Sequence, residues 1–175
     1  MAVAVAIGVA GGFAYPAIAA APAPLPPTVV AIAPGIHPLG KGRHNWFGVH
    51  MYDATLWVVG ATWSFDEPHA IELEAGRSIT SASLTSAAID EMRGLNVGTA
   101  AARDRWTAEL ARVMPPIRKG DRLVVFTVPV GKTMVYFNDA EHGEIDDPSF
   151  GQALFKIWLD PQSRNQRLRR KLLNH

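Results

Sequence analysis

The sequence predicts one α+β domain, and three observations support this fold class. Residues 40–59 form a long strand pattern in which both alternating sets of side chains are largely apolar, as is typical of a central strand covered on both faces. Two helical patterns then stand between this strand region and a later hairpin pattern, an order that favours an α+β fold. The chain has 175 residues, 48% of them hydrophobic and 19% charged, which fits a globular domain of about 140 to 150 residues with an additional N-terminal segment.

The N-terminal segment predicts export. Residues 1–36 carry no charged side chain, and an apolar run is followed by small residues at 17–19, the arrangement that signal peptidases accept. We therefore predict a signal peptide at residues 1–21 and a periplasmic protein. The alternative is a retained membrane anchor, since about 20 apolar residues can span a bilayer. Residues 22–38 are rich in proline and predict a linker without helix or central strand, so that the folded domain occupies residues 39–175.

The residues after the central strand predict a second strand and two helices. Residues 69–80 alternate acidic and apolar side chains, which indicates a strand with one wet face. Residues 81–95 change to helical spacing. A second helix follows the N-cap candidate Thr99 and ends at Pro115.

The last third of the chain predicts a hairpin and two more helices. Residues 122–130 and 133–138 are its strands, and the acidic stretch after them is expected to be a solvated loop. A helix begins after Asp147, and the last one covers residues 164–173. This last helix is basic, with no acidic residue after Asp160. We expect a solvated helix face, with contact with an anionic membrane surface as the alternative.

Composition argues against several classes of site. The net charge of +1 gives no overall electrostatic case for nucleic acid. The absence of cysteine excludes disulfides and thiolate chemistry, and the six histidines show no metal-binding spacing. The GKGR stretch at residues 40–43 lacks the spacing of a phosphate-binding loop and is expected to be a turn. We predict no metal site and no cofactor.

Four polar residues are the candidates for a ligand site. Arg43, His50 and Tyr52 lie in apolar company in the central strand region, and Arg93 lies on the first helix after it. A guanidinium and a tyrosine hydroxyl that meet at one oxygen would form an anion clamp. Nine residues separate Arg43 from Tyr52, so a regular strand would place them on opposite faces, and the clamp requires a bulge or a loop position for Arg43. The alternative is that Arg43 pairs with a surface acid and Tyr52 fills the core.

Several short motifs, in their order, resemble the bacterial chalcone isomerase-like family. They are the GxGR stretch, the strand motif VHMYDATLW, Asp90-Glu91-Met92-Arg93, Trp106, Gly120-Asp121-Arg122-Leu123, Tyr136-Phe137-Asn138 and Ile157-Trp158-Leu159-Asp160-Pro161. The resemblance covers about residues 39–173. It implies an open-faced β-sandwich, in which helices pack on one face of a large antiparallel sheet and a ligand cleft lies between them.

The resemblance also implies a choice of functions. The plant enzymes of this fold use an arginine and a threonine, whereas the fatty-acid-binding relatives use an arginine and a tyrosine to hold a carboxylate. Arg43 and Tyr52 match the second pair, so we expect an exported protein that binds a hydrophobic small molecule with an acidic head, such as a fatty acid. One alternative is an isomerase in which Arg43 stabilises an enolate and Tyr52 binds the substrate carbonyl. The other is a non-catalytic interaction protein of the cell envelope.

Overall fold

The protein folds around one antiparallel sheet of six strands in sequential order. The computed structural model describes residues 23–175, and the predicted signal peptide lies outside them. The strands are β1 (His37–Trp46), β2 (Val49–Val58), β3 (His69–Ala75), β4 (Arg122–Thr127), β5 (Thr133–Phe137) and β6 (Ala140–Ile145). The helices are α1 (Pro27–Ile32), α2 (Ser81–Gly94), α3 (Ala100–Val113), α4 (Pro148–Leu159) and α5 (Gln166–Leu172). The predicted α+β class and antiparallel sheet are confirmed.

Helices α2 to α5 pack on one face of the sheet and form the helix-side core. Every second residue of the central strands, such as Leu56, Ile71 and Val125, points into this core, as the period of a strand requires. The helices add buried residues at helical spacing, among them Trp106 and Phe155. The predicted packing of helices on a single face of the large sheet is therefore present.

The opposite face of the sheet is covered by α1, which the sequence-based prediction missed. Leu25 and Val29 pack against Trp57, Phe126 and their neighbours in a second core. The prediction that residues 22–38 form no helix is wrong for α1, because proline at the first helical position costs little and none of the next five residues is proline. No helix among residues 23–175 has the length and apolar character needed to cross a membrane.

The GKGR stretch, predicted as a turn, lies inside strand β1. Its two glycines allow α5 to pack directly on this edge strand. A Cβ added at Gly40 would lie 2.3 Å from the carbonyl oxygen of Lys171, and one at Gly42 would lie 2.7 Å from Cδ1 of Leu168. The stretch of residues 40–59, predicted as one central strand, is thus the hairpin of β1 and β2, with its turn at Phe47 and Gly48.

Two further boundaries differ from the predictions. The acidic stretch predicted as a loop contains β6, an edge strand whose outward residues are exposed, so its polar composition suits its place. The strand predicted at residues 69–80 ends at Ala75, after which Ile79 makes an isolated bridge to Ile117. Its expected wet face is also largely buried, since Glu72 lies under the second core.

Candidate functional site

The structure places Arg43 and Tyr52 on opposite faces of the sheet. They lie on the two arms of the β1–β2 hairpin, where Arg43 is paired with Asp53 and Tyr52 with His44. Directly opposed residues share a face, and successive residues of a strand alternate between faces. The two groups of the predicted anion clamp therefore point away from each other.

Arg43 forms an ion pair with Asp53. Its Nε donates to Oδ1 at 2.8 Å and its Nη2 donates to Oδ2 at 3.1 Å, so the guanidinium and the carboxylate form a bidentate pair. The hydrogen bond to Asp53 raises the pKa of Arg43, and the same bond lowers the pKa of Asp53. The Arg43 side chain is 60% exposed, and a ligand carboxylate would have to compete with Asp53 for it.

Tyr52 lies on the helix side, where it contacts α4 and β1. Trp158 Nε1 donates to the Tyr52 hydroxyl oxygen at 3.0 Å, and the ring of His44 lies 4.8 Å from the ring of Tyr52, centroid to centroid. Burial raises the pKa of the Tyr52 hydroxyl to about 12. The tyrosine is a neutral, partly buried group that already accepts a hydrogen bond.

Of the other two predicted residues, His50 lies near the Arg43–Asp53 pair, whereas Arg93 does not. The β1–β2 register shifts between His44 and Asn45, and this bulge brings His50 Nε2 to 3.4 Å from Asp53 Oδ2. Arg93 pairs with Asp90 on α2 at 2.5 Å, and no hydrogen bond or ion pair among the described residues links it to the other three candidates. The predicted set is thus divided over two faces of the sheet and one helix.

An aromatic cluster that the sequence did not reveal closes one end of the helix-side core. Trp63 and Phe65 come from residues 59–68, the loop between β2 and β3, while His69 begins β3 and Phe155 and Trp158 lie on α4. Ring centroids are 4.5 Å apart for Trp63 and Phe65, 6.1 Å for Trp63 and His69, and 4.3 Å for His69 and Phe155. The members come from three elements, so no local spacing predicts the cluster.

Two buried polar atoms of this cluster have no hydrogen-bond partner within residues 23–175. They are Nε1 of Trp63 and Nε2 of His69. His69 Nδ1 lies 2.7 Å from the carbonyl oxygen of Glu67; because a carbonyl can only accept, Nδ1 carries the proton and Nε2 is an acceptor. Burial lowers the pKa of His69, which keeps the ring neutral. The cluster therefore holds one unused donor and one unused acceptor, an arrangement that costs about 1 to 3 kcal/mol for each group.

A small cavity adjoins His69. It has a volume of about 10 Å³ and is bordered by Phe65, Thr127 and Gln152, which is room for about one water molecule. A larger open cleft, about 430 Å³, lies elsewhere, between α3 and the end of β6. Its lining includes both Arg112 and Asp147 and none of the predicted site residues. No group of three or more His, Asp or Glu residues in the described part of the chain is arranged to hold a metal ion.

Comparisons with known proteins agree with the expected family and fold. Residues 43–174 match the family described as chalcone isomerase-like. Among solved structures, a fatty-acid binding protein of Arabidopsis thaliana superposes with a TM-score of 0.65 at 11% sequence identity, covering 81% of this chain and 88% of that one. No curated protein matches by sequence. At this identity the structural likeness shows the fold, and the family match covers most of the domain.

Proposed function

Because the chain belongs to the chalcone isomerase-like family, we propose that it binds an apolar small molecule with an acidic head, such as a fatty acid. The proposed site is the aromatic cluster at the end of the helix-side core, under the loop of residues 59–68. Two findings support this ligand class: the fold is shared with a fatty-acid binding protein, and the cluster is apolar apart from a few polar atoms, as is typical of small-molecule sites.

The unused donor of Trp63 and the unused acceptor of His69 are the observation on which the proposal depends. A carboxylic acid offers the complementary pair, since its carbonyl oxygen can accept from the indole and its hydroxyl can donate to the imidazole. The acid and the neutral imidazole then hold one proton between them. The head group would satisfy two buried atoms at once, whereas a hydrocarbon would satisfy neither.

The apolar tail enters the core by outward movement of the 59–68 loop. This loop supplies Trp63 and Phe65, and its side-chain hydrogen bonding is sparse, with Ser64 accepting from the amide of Asp66 at 3.0 Å. Phe155 and Trp158 of α4 are the core residues that the tail would meet beneath the loop, and Trp63 must return to its place for its N–H to donate to the head group. Such loops move at low cost compared with the strands that they connect.

The predicted Arg43–Tyr52 clamp is a competing location for the same head group. It lies toward the other end of β2, because His69 is paired with Val58 whereas Arg43 is paired with Asp53. At this location the charge of Arg43 is already paired with Asp53 through two hydrogen bonds. The isomerase alternative needs Arg43 and Tyr52 on one substrate, and their placement on opposite faces gives it no support.

Calorimetric titration with hexadecanoic acid and with its methyl ester tests the proposal. We expect Trp63→Phe, which removes the indole N–H but keeps an aromatic ring, to weaken acid binding about tenfold. The ester, which cannot donate, should bind the unaltered protein correspondingly more weakly. Trp46→Phe is the matched control, since Trp46 is an exposed indole on the β1–β2 hairpin, and we expect it to bind as the unaltered protein does.

The dependence on pH distinguishes the two locations. At pH 7 the free ligand is ionised and His69 is neutral, so binding at the cluster takes up one proton and its affinity should fall by up to about tenfold for each unit that the pH rises. Binding to the permanently charged Arg43 takes up no proton. If Arg43→Ala removes binding while Trp63→Phe leaves it unchanged, the cluster is the wrong location. If the unaltered protein does not bind the acid, the proposed function is wrong.

A further inference from the structure

The turn of the β1–β2 hairpin exposes large apolar side chains. Trp46 is 62% exposed, Phe47 is 92% exposed, and Val49 is also exposed. Strand β3 pairs with β2 only from Tyr52 onward, and just beyond β3 the amide of Gly76 donates to the carbonyl oxygen of Met51 at 2.9 Å. Residues 46–49, here called the hairpin tip, therefore extend past the neighbouring chain. The tip is a protruding apolar feature with no visible role in packing the sheet.

The residue at the turn is one that the backbone itself does not favour. Phe47 and Gly48 both have positive φ, 47° and 78°, as in the two-residue turns that prefer Asn-Gly. A bulky residue with positive φ is uncommon, and asparagine would relieve the strain. Where a sequence departs from its local preference without a gain in packing, a functional reason is the usual one.

Exposed basic residues lie on β1 and α5, the elements that lead back from the tip; Lys171 lies over Gly40 and Gly42, at the end of α5 farther from the tip. Helix α5 packs along β1 through the two glycines, and Asn165, its N-cap, contacts Nδ1 of His44 at 2.7 Å. The exposed cations of these two elements are Lys41, Arg43, Arg167, Arg170 and Lys171. The acidic side chains near these elements mostly pair with other cations: Asp53 pairs with Arg43 and Glu91 pairs with Arg164, while Glu74 lies across from Asp53 on β3. The surface behind the tip, formed by β1 and α5, therefore carries an excess of positive charge.

We propose that the hairpin tip inserts into the interface of an anionic lipid bilayer, with the cations of β1 and α5 contacting the head groups. Tryptophan and phenylalanine partition into this interface, and each Lys or Arg close to an anionic surface adds to the attraction. The charge of the surrounding surface matches such a membrane. Three side chains are too few for a stable protein interface, which buries about 1,200 to 2,000 Å².

A fluorescent label beside the tip tests the insertion. The chain has no cysteine, so Asn45→Cys in the full-length protein provides a single labelling site that leaves Trp46 and Phe47 in place. In vesicles of phosphatidylcholine and phosphatidylserine, we expect quenchers on the lipid chains to reach this label, and high salt to abolish the effect. Because the readout is local, membrane binding by another segment does not reproduce it.

Two matched variants complete the experiment. In the labelled background, Phe47→Asn replaces the exposed ring with a residue that suits the turn, so the fold should be retained. The quenching should then fall to the level seen for a label placed by Val130→Cys. Val130 is the comparison because it is 87% exposed, has positive φ and lies in the β4–β5 turn, at the other end of the sheet. Replacing Arg167, Arg170 and Lys171 by glutamine should also reduce the quenching.

Three results would overturn the proposal. They are a tip label that stays in water on anionic vesicles, equal quenching at the two turns, and quenching that persists in Phe47→Asn. Specific capture of a protein through the tip, without any response to vesicles, would assign it to a protein partner instead. No fatty acid is used, so the result does not depend on the ligand proposed above.

Discussion

Removing the Arg122 guanidinium should leave a carboxylate without its partner under the second core. Glu72 accepts from Arg122 Nε at 2.9 Å and from Trp57 Nε1 at 2.9 Å. The side chains of Arg122 and Glu72 are only 12% and 10% exposed. The guanidinium also donates to Asp139 and to the carbonyl oxygens of Ala23 and Pro24, so one side chain joins β3, β4, the turn before β6 and the N-terminal segment.

The expected cost of Arg122→Met follows from this burial. Breaking a buried ion pair by removing one partner destabilises a protein by about 3 to 5 kcal/mol, because the remaining charge stays desolvated. For a chain of this length, this corresponds to a fall of about 6 to 20 °C in Tm. Adding Glu72→Gln in the same background removes the stranded charge, so the double variant should recover part of the loss.

Urea unfolding followed by circular dichroism measures these differences. Arg93→Met is the control, since Arg93 and Asp90 form an exposed ion pair on α2, and such pairs contribute about 0 to 1 kcal/mol. If Arg122→Met is no more costly than Arg93→Met, Glu72 is not desolvated and this account of the second core is wrong.

Three other predictions concern packing and pH. Val29→Ala should lower the free energy of unfolding by about 1.5 to 3 kcal/mol, because Val29 is fully buried against the sheet. Val30→Ala, on the exposed side of α1, should change it by less than about 0.5 kcal/mol, and equal effects would mean that α1 is not docked. Gly40→Ala should cost about 1 to 3 kcal/mol or more and increase hydrogen exchange in α5, since its Cβ would meet the backbone of that helix; unchanged exchange would contradict the contact. The free energy of unfolding should be highest above about pH 6.5 and fall below that pH, because burial lowers the pKa of His69 and the unfolded chain takes up the proton first. Stability should depend less on pH in His69→Phe; an identical slope in this variant would refute this.

The sequence predicts the parts of the fold whose pattern is local. Helices α2, α3 and α4 follow their caps and apolar spacing, with Thr80, Thr99 and Asp147 each accepting from a first-turn amide. The single strand predicted over residues 40–59 is the hairpin of β1 and β2, and helix α1 was missed; in both cases the composition reflects what packs on the element. In β1, glycines make room for α5, and in α1 proline is confined to a position where a helix tolerates it.

The candidate site depends on contacts that no spacing reveals. The odd separation of Arg43 and Tyr52 would place them on opposite faces of a regular strand; the hairpin puts them on different arms and also on opposite faces, so the predicted clamp is not formed. Trp63, His69 and Phe155 are far apart along the chain and meet only through the β2–β3 loop and α4. Local periodicity could therefore give the faces of the strands, but the unsatisfied atoms needed the tertiary structure.

The close packing of α5 on β1 also bears on solubility. An open strand edge is a template for pairing with another chain, and proteins protect such edges with charge, bulges or a covering element. At β1 the chain combines two register shifts, Lys41 and the adjacent helix. At the other edge β6 has its own register shift and presents Glu141 and His142 to solvent. Loosening α5 would therefore leave this glycine-containing edge strand without its covering helix, and we expect aggregation through β1 to accompany any change that detaches this helix.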